Sequence, residues 1–135
     1  MTSTEKKELL NRYKYLEAML DEHIEELYRW RAKSEKIVPD SELYPEGNNY
    51  VSSVVFAVEN ILEIEKTINA EIEVLKNLRI KIVNAINKMT DPTLKLITEL
   101  KYIKCLTLEE IAERLNYSWR QTERLHIKAI DLIEF

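Results

Sequence analysis

A chain of 135 residues with one glycine, three prolines and 33% charged side chains offers few positions for turns that need positive φ, and so favours helices. Hydrophobic residues make up 45%, which excludes a disordered chain, while no apolar run nears the ~20 residues that span a bilayer. The net charge of −4 weighs against a uniformly basic nucleic-acid binder; the single Cys105 excludes an internal disulfide, and with a polar N-terminal stretch that carries no secretion signal the expected location is cytoplasmic.

Residues 2–36 read as one long helix. Thr2 and Glu5 have the spacing of a capping box. Leu9, Tyr13, Leu16, Leu20, His23, Leu27 and Trp30 then alternate four and three apart, the 3.5-residue repeat of a coiled coil. Near its end lies an aromatic and basic cluster, Tyr28-Arg29-Trp30-Arg31 with Lys33 and Lys36. Such a cluster can hold phosphate or stack on a base. The plainer reading, which we favour, places Trp30 in the seam and leaves the arginines solvated or paired with acids. Residues 37–49 hold two of the prolines and Gly47, and are expected to reverse the chain.

Residues 50–89 read as a second long helix, with Val54, Val58, Ile61, Ile68, Ile72, Leu75, Ile82, Ile86 and Met89 on the same alternation and Glu65 and Arg79 interrupting it. Each helix would be roughly 50–60 Å long, too long to stand on one stripe alone. An antiparallel hairpin is the simplest arrangement. Apolar residues off the seam (Ile24, Val55, Leu62, Ile64, Leu78, Ile80 and Val83) point to further contact faces and to a homo-oligomer through the hairpin.

Asp91-Pro92 marks the next boundary, with Asp91 as helix cap and Pro92 at the first helical position. The helix to Lys104 presents Leu94, Ile97, Leu100, Tyr102 and Ile103. Thr107 and Glu110 form another capping box, and Leu108, Ile111, Ala112 and Leu115 line one face of a short helix. Asn116 suits the left-handed residue of a helix end. Ser118 and Gln121 open a last helix that is expected to bury Thr122, Leu125, Ala129, Ile130 and Leu132. Trp119, Arg120, Glu123, Arg124 and Lys128 should face outward. Two short helices, a tight turn and an alanine at the close approach make a helix-turn-helix pattern. The expected fold is all-α: a long helical hairpin over residues 1–89, for dimerisation or partner docking, and a three-helix head over residues 90–135.

Charge is distributed unevenly within that head. Residues 91–135 carry seven basic and eight acidic side chains, but from Ser118 to Ala129 Arg120, Arg124 and Lys128 stand against Glu123 alone. A local basic face on an acidic protein implies weak DNA binding alone, aided by a partner.

The stretch Leu106 to Leu132 resembles the fourth region of bacterial RNA polymerase sigma factors. Leu106-Thr107, Glu109-Glu110-Ile111-Ala112, Leu115, Ser118, Leu125 and Ala129 match its pattern. The resemblance implies promoter-DNA reading and docking on RNA polymerase, with Trp119, Arg120 and Arg124 at base-contacting positions. Trp119 and Arg120 replace a common Arg and Glu, and Arg124 a common Gln, so the cognate sequence would differ. The order of a long helix, the stretch Trp30-Arg31-Ala32-Lys33-Ser34, a Pro/Gly loop, a second long helix and this head is similar to phage-encoded transcription regulators of Gram-positive bacteria of the ArpU/RinA kind. That likeness implies late-gene regulation.

Other chemistry is poorly supported. Glu123 and His126 have a Glu-x-x-His spacing, but the further carboxylates and second such pair of a di-iron site are missing. His126 is expected at the surface or facing DNA, and His23 in the seam. Cys105 stands where related heads often carry glycine, and reads as a small buried thiol. No phosphate loop, nucleophile elbow or triad is present. The expectation is therefore no enzyme, no metal, no cofactor and no membrane. Double-stranded DNA is the expected partner, contacted by Ser118, Trp119, Arg120, Glu123, Arg124 and Lys128, with RNA polymerase as a second. The rival readings are an interaction module that docks on polymerase without reading DNA, and a phage DNA-packaging recognition subunit.

Overall fold

The computed structural model describes residues 1–36 and 48–135; the expected 37–49 loop lies almost entirely outside them. Among the described residues all regular structure is helical: α1 (Ser3–Glu35), α2 (Asn48–Asn87), α3 (Pro92–Thr98), a π-helical turn (Glu99–Ile103), α4 (Leu108–Leu115) and α5 (Trp119–Leu132). The chain divides into two compact units, one of residues 1–16 with 75–135 and one of residues 17–74. The 89/90 boundary drawn from sequence falls inside the first unit. Among the described residues no helix is long and apolar enough to cross a membrane.

The helix starts follow their local chemistry. Thr2 and Glu5 exchange hydrogen bonds of 3.2 Å in both directions at the head of α1. Asp91 Oδ1 accepts the Thr93 and Leu94 N–H groups at 2.9 and 3.2 Å, with Pro92 occupying the position that needs no donor.

In the first unit, Leu10 and Tyr13 of α1 pack with Ile82, Ala85 and Ile86 of α2, Tyr102 of the π-turn, and Ile130 and Ile133. A second cluster joins Ile97, Leu100 and Ile111, flanked by Leu106, Leu108, Leu115 and Leu125. The π-turn serves both clusters: Leu100 enters one and Tyr102 the other. The helix expected to run to Lys104 is thus α-helical only to Thr98. The Lys104 N–H reaches Glu99 O at 3.1 Å, a five-residue step, and Leu106 N–H reaches Leu100 O at 3.0 Å. The turn closes on Cys105 at φ 58°, a conformation that disfavours any residue with a Cβ. Cys105 is half-buried, less enclosed than the expected buried thiol.

Among the described residues of the second unit, Leu27, Ala57 and Ile68 are the buried hydrophobics. Arg31 Nη2 donates to Glu65 Oε1 at 2.9 Å. His23 Nδ1 lies 2.5 Å from Glu71 Oε1, an ion-pair distance without hydrogen-bond geometry, and Glu71 Oε2 is buried with no hydrogen-bond partner among the described residues.

The seam of α2 keeps the expected Val54, Ile61, Ile68, Leu75, Ile82, Ile86 and Met89, all buried or half-buried, and departs from the expected one at Val58 and Ile72. Ala57, Ile61, Ile64, Ile68, Glu71, Leu75, Leu78, Ile82, Ala85 and Met89 are buried or half-buried, whereas Val58 and Ile72 are exposed. The repeat is again four and three, but the inner positions include Ala57, whose small side chain admits a close neighbour, and Glu71, which meets His23. Glu65 and Arg79 no longer interrupt the seam; they flank it and bond to Arg31 and, through Arg79 Nη1 at 3.0 Å, to the Tyr13 hydroxyl. On α1, Leu10 is fully buried although it lies outside the expected seam.

Candidate functional site

The site is built on α4, α5 and the residues between them. Thr107 caps α4: its hydroxyl oxygen accepts the Glu110 N–H at 3.2 Å, and the Thr107 N–H donates to Glu110 Oε1 at 3.3 Å. Ile111 and Ala112 are buried on the inner face of α4, with Leu108 and Leu115 half-buried beside them. The helix ends on Asn116 at φ 57°, ψ 38°. Tyr117 N–H donates to Ala112 O at 2.9 Å and Asn116 N–H to Glu113 O at 3.3 Å, the paired bonds of a Schellman ending. Ser118 follows at once in an extended conformation and accepts the Gln121 N–H at 3.1 Å, starting α5. Only three residues, 116 to 118, separate the two helices.

The inner face of α5 carries Thr122, His126, Ala129 and Ile130. Thr122 satisfies its buried hydroxyl by donating to Ser118 O at 3.0 Å. Ser118, Trp119, Arg120, Arg124 and Lys128 are exposed, and Glu123 is half-buried. Ser118, Arg120, Gln121 and Arg124 together line an open groove of about 380 Å³. Arg120 and Arg124 stand one turn apart on the same face. Neither arginine, nor Lys128, forms an ion pair among the described residues. The Arg120 and Arg124 guanidiniums and the Lys128 ammonium are thus available to an acceptor from outside.

Two expectations for α5 are corrected. Leu132 is 56% exposed, and Ile133 is buried in its place. The backbone turns extended at Ile133 (φ −67°, ψ 138°), which swings that side chain inward just after the last helical residue. His126 is not at the surface: it is 5% exposed, and its Nε2 lies 2.6 Å from the Tyr102 hydroxyl, with the rings tilted by 34°. Burial, then the Lys101 and Lys7 ammoniums, push His126 down to about 4. Burial pushes the Tyr102 phenol up to about 12. Both groups are therefore neutral at pH 7, and one proton shared between a phenol and an imidazole pins α5 to the π-turn beneath it. Sequence spacing could not reveal this pair, because its members lie 24 residues apart on different elements.

The chain matches no protein-family model, no curated protein and no solved structure. What the site can do must therefore be argued from its own chemistry. A capped helix N-terminus beside two arginines is suited to anions and to planar acceptors. Among the described residues no cluster of His, Cys, Asp and Glu has the composition of a metal site. The aromatic and basic stretch of α1 is engaged locally: the Trp30 ring meets Phe56 edge-on at 5.6 Å, and Lys33 Nζ stands 4.7 Å from the Trp30 centroid. With Arg31 held by Glu65, Trp30, Arg31 and Lys33 are engaged in intramolecular contacts, in keeping with the plainer reading, while Tyr28, Arg29 and Lys36 are exposed.

Proposed function

We propose that α4 and α5 form a helix-turn-helix which reads double-stranded DNA, and that the protein is a transcription regulator of the kind phages use, with α1 and α2 as a hairpin for self-association or partner docking. The observation that carries this reading is the outer face of α5. Arg120 and Arg124, exposed and without ion pairs among the described residues, stand on a helix whose opposite face is fixed by Thr122, His126, Ala129 and Ile130. A recognition helix needs that combination, because base-edge hydrogen bonds require both available donors and a rigid mount.

In the mechanism that follows, the Ser118 end of α5 enters the major groove. The exposed amides near the cap meet phosphate, and Arg120 and Arg124 each bond the O6 and N7 of a guanine, worth about 1–3 kcal/mol of discrimination apiece. Trp119, 49% exposed, contacts sugar or a thymine methyl group, and Lys128 contacts the backbone. If the protein acts as a dimer, its half-sites are separated by about 10 base pairs or multiples of that. Glu109, Glu110 and Glu113 of α4 are exposed and suit a basic surface on a partner such as RNA polymerase.

The test is transcriptional output from a responsive promoter in a strain carrying Arg120→Ala/Arg124→Ala at unchanged protein level. Loss of regulation supports base reading. Retained regulation assigns the function to protein docking instead.

A further inference from the structure

The second unit leaves a line of apolar side chains outside its core. Among its described residues only Leu27, Ala57 and Ile68 are buried hydrophobics, a small core for two packed helices. On α2 of this unit, Val55, Val58, Leu62 and Ile72 are 47%, 46%, 59% and 44% exposed. With Glu65 and Asn69 between them they alternate three and four apart, a second coiled-coil repeat on the same helix. Each member stands one residue after a position of the inner seam, hence about 100° around the helix from it. The stripe also accounts for Val58 and Ile72, which are apolar although they lie outside that seam.

The charges beside the stripe indicate what covers it. Glu59 and Lys66 each follow a stripe position by one residue, on the flank away from the seam. Both are exposed and form no ion pair among the described residues. A second α2 can be laid antiparallel on the first, with a two-fold axis between residues 63 and 64. Val55 then meets Ile72 of the second copy, Val58 meets Asn69 and Leu62 meets Glu65, and the same contacts recur with the chains exchanged. In that register Glu59 of each copy falls beside Lys66 of the other, so one pair of residues makes two ion pairs. A parallel arrangement would set Glu59 against Glu59 and Lys66 against Lys66. The Glu65 carboxylate is already held by Arg31 of its own chain at 2.9 Å, so the central layer takes in no unpaired charge. Asn69 opposite Val58 costs some stability and fixes the register.

We infer that the stripe of α2 from Val55 to Ile72 is a dimer interface, covered by the same stripe of a second copy running antiparallel. This rests on the hairpin part of the proposed function and names its occupant: the chain itself, matched by charges that satisfy one another across a two-fold axis. It stands apart from base reading by α5, and is measured without DNA, so the two fail separately. A dimer so formed carries two copies of α5 and calls for a DNA site with two-fold symmetry.

The experiment is analytical ultracentrifugation of the full-length chain over roughly 1–200 μM. Wild type is expected to pass from the 16.0 kDa monomer to twice that mass as concentration rises. Leu62→Glu changes an exposed side chain, so the helical circular dichroism should persist while association is lost across that range. Glu59→Lys and Lys66→Glu each set like charges together at both ion-pair contacts, and each should weaken the dimer by about tenfold or more. Glu59→Lys/Lys66→Glu restores the pairing with its signs exchanged and should return to within about threefold of wild type. An equimolar mixture of the two single variants should recover association as well. Glu25→Lys, an exposed reversal on α1, should leave the dimer unchanged. A wild type that stays monomeric at every concentration leaves the stripe to a different partner and overturns the inference. Association that survives Leu62→Glu overturns it too, as do charge reversals that are silent, or that the double exchange fails to rescue.

Discussion

Acidification should destabilise the protein through His126, and the size of the effect follows from its burial. The imidazole has an ordinary value of 6.5 and is pushed down to about 4 in the folded chain. A depressed histidine contributes stability that is fully present above 6.5, where it is neutral folded or unfolded. As pH falls below 6.5 the unfolded chain takes up a proton that the folded chain refuses, so stability is lost down to about 4, where the folded form protonates as well. Between pH 7.5 and 4.5 the loss is roughly 2.5 kcal/mol, and in urea the midpoint moves down by on the order of 1 M. Carboxylates titrate over the lower part of this range, so the comparison is with His126→Gln, which keeps a polar partner for Tyr102 and cannot take the proton. Urea melts followed by circular dichroism at several pH values between 7.5 and 4.5 give both curves. The stability of wild type relative to His126→Gln should fall by that amount across the range. Parallel curves, within about 0.5 kcal/mol, would refute the buried neutral pair, as would an NMR titration that placed the His126 ring near 6.5.

Three local substitutions probe the scaffold. Cys105→Gly should raise the free energy of unfolding by about 1 kcal/mol, since Cys105 holds φ 58° against its Cβ, whereas Cys105→Val should lower it; thermal melts of the pair decide. Thr107→Ala removes the acceptor for the Glu110 N–H and should cost about 1 kcal/mol, with hydrogen exchange rising first at the start of α4. His23→Leu/Glu71→Leu replaces an imperfectly satisfied pair in the second unit by apolar volume. It should leave stability unchanged or raise it by about 1–4 kcal/mol, while Glu71→Ala alone lowers it.

Most of the secondary structure was legible because it is written locally. Thr2/Glu5, Asp91-Pro92, Thr107/Glu110, Asn116 and Ser118 each fix a helix end through residues within four positions of one another. Helical periodicity likewise put Arg120, Arg124 and Lys128 on the outer face of α5. What escaped the sequence is set by distant partners. Val58 and Ile72 look like better seam residues than Ala57 and Glu71 until the register against α1 and the position of His23 are known. A histidine beside charged neighbours reads as exposed unless Tyr102, on another element, is seen beneath it. Leu132 and Ile133 are both apolar, and only the backbone turn at the end of α5 chooses between them.

The central claim is that the outer face of α5 reads DNA sequence. Selection from a random duplex pool with the purified full-length chain, repeated with RNA polymerase present, tests it most directly. The account predicts enrichment of a defined site in at least the second selection, with guanines at the enriched positions, lost in Arg120→Ala/Arg124→Ala while the variant stays folded. No enrichment under either condition, or enrichment that survives the double change, would contradict it.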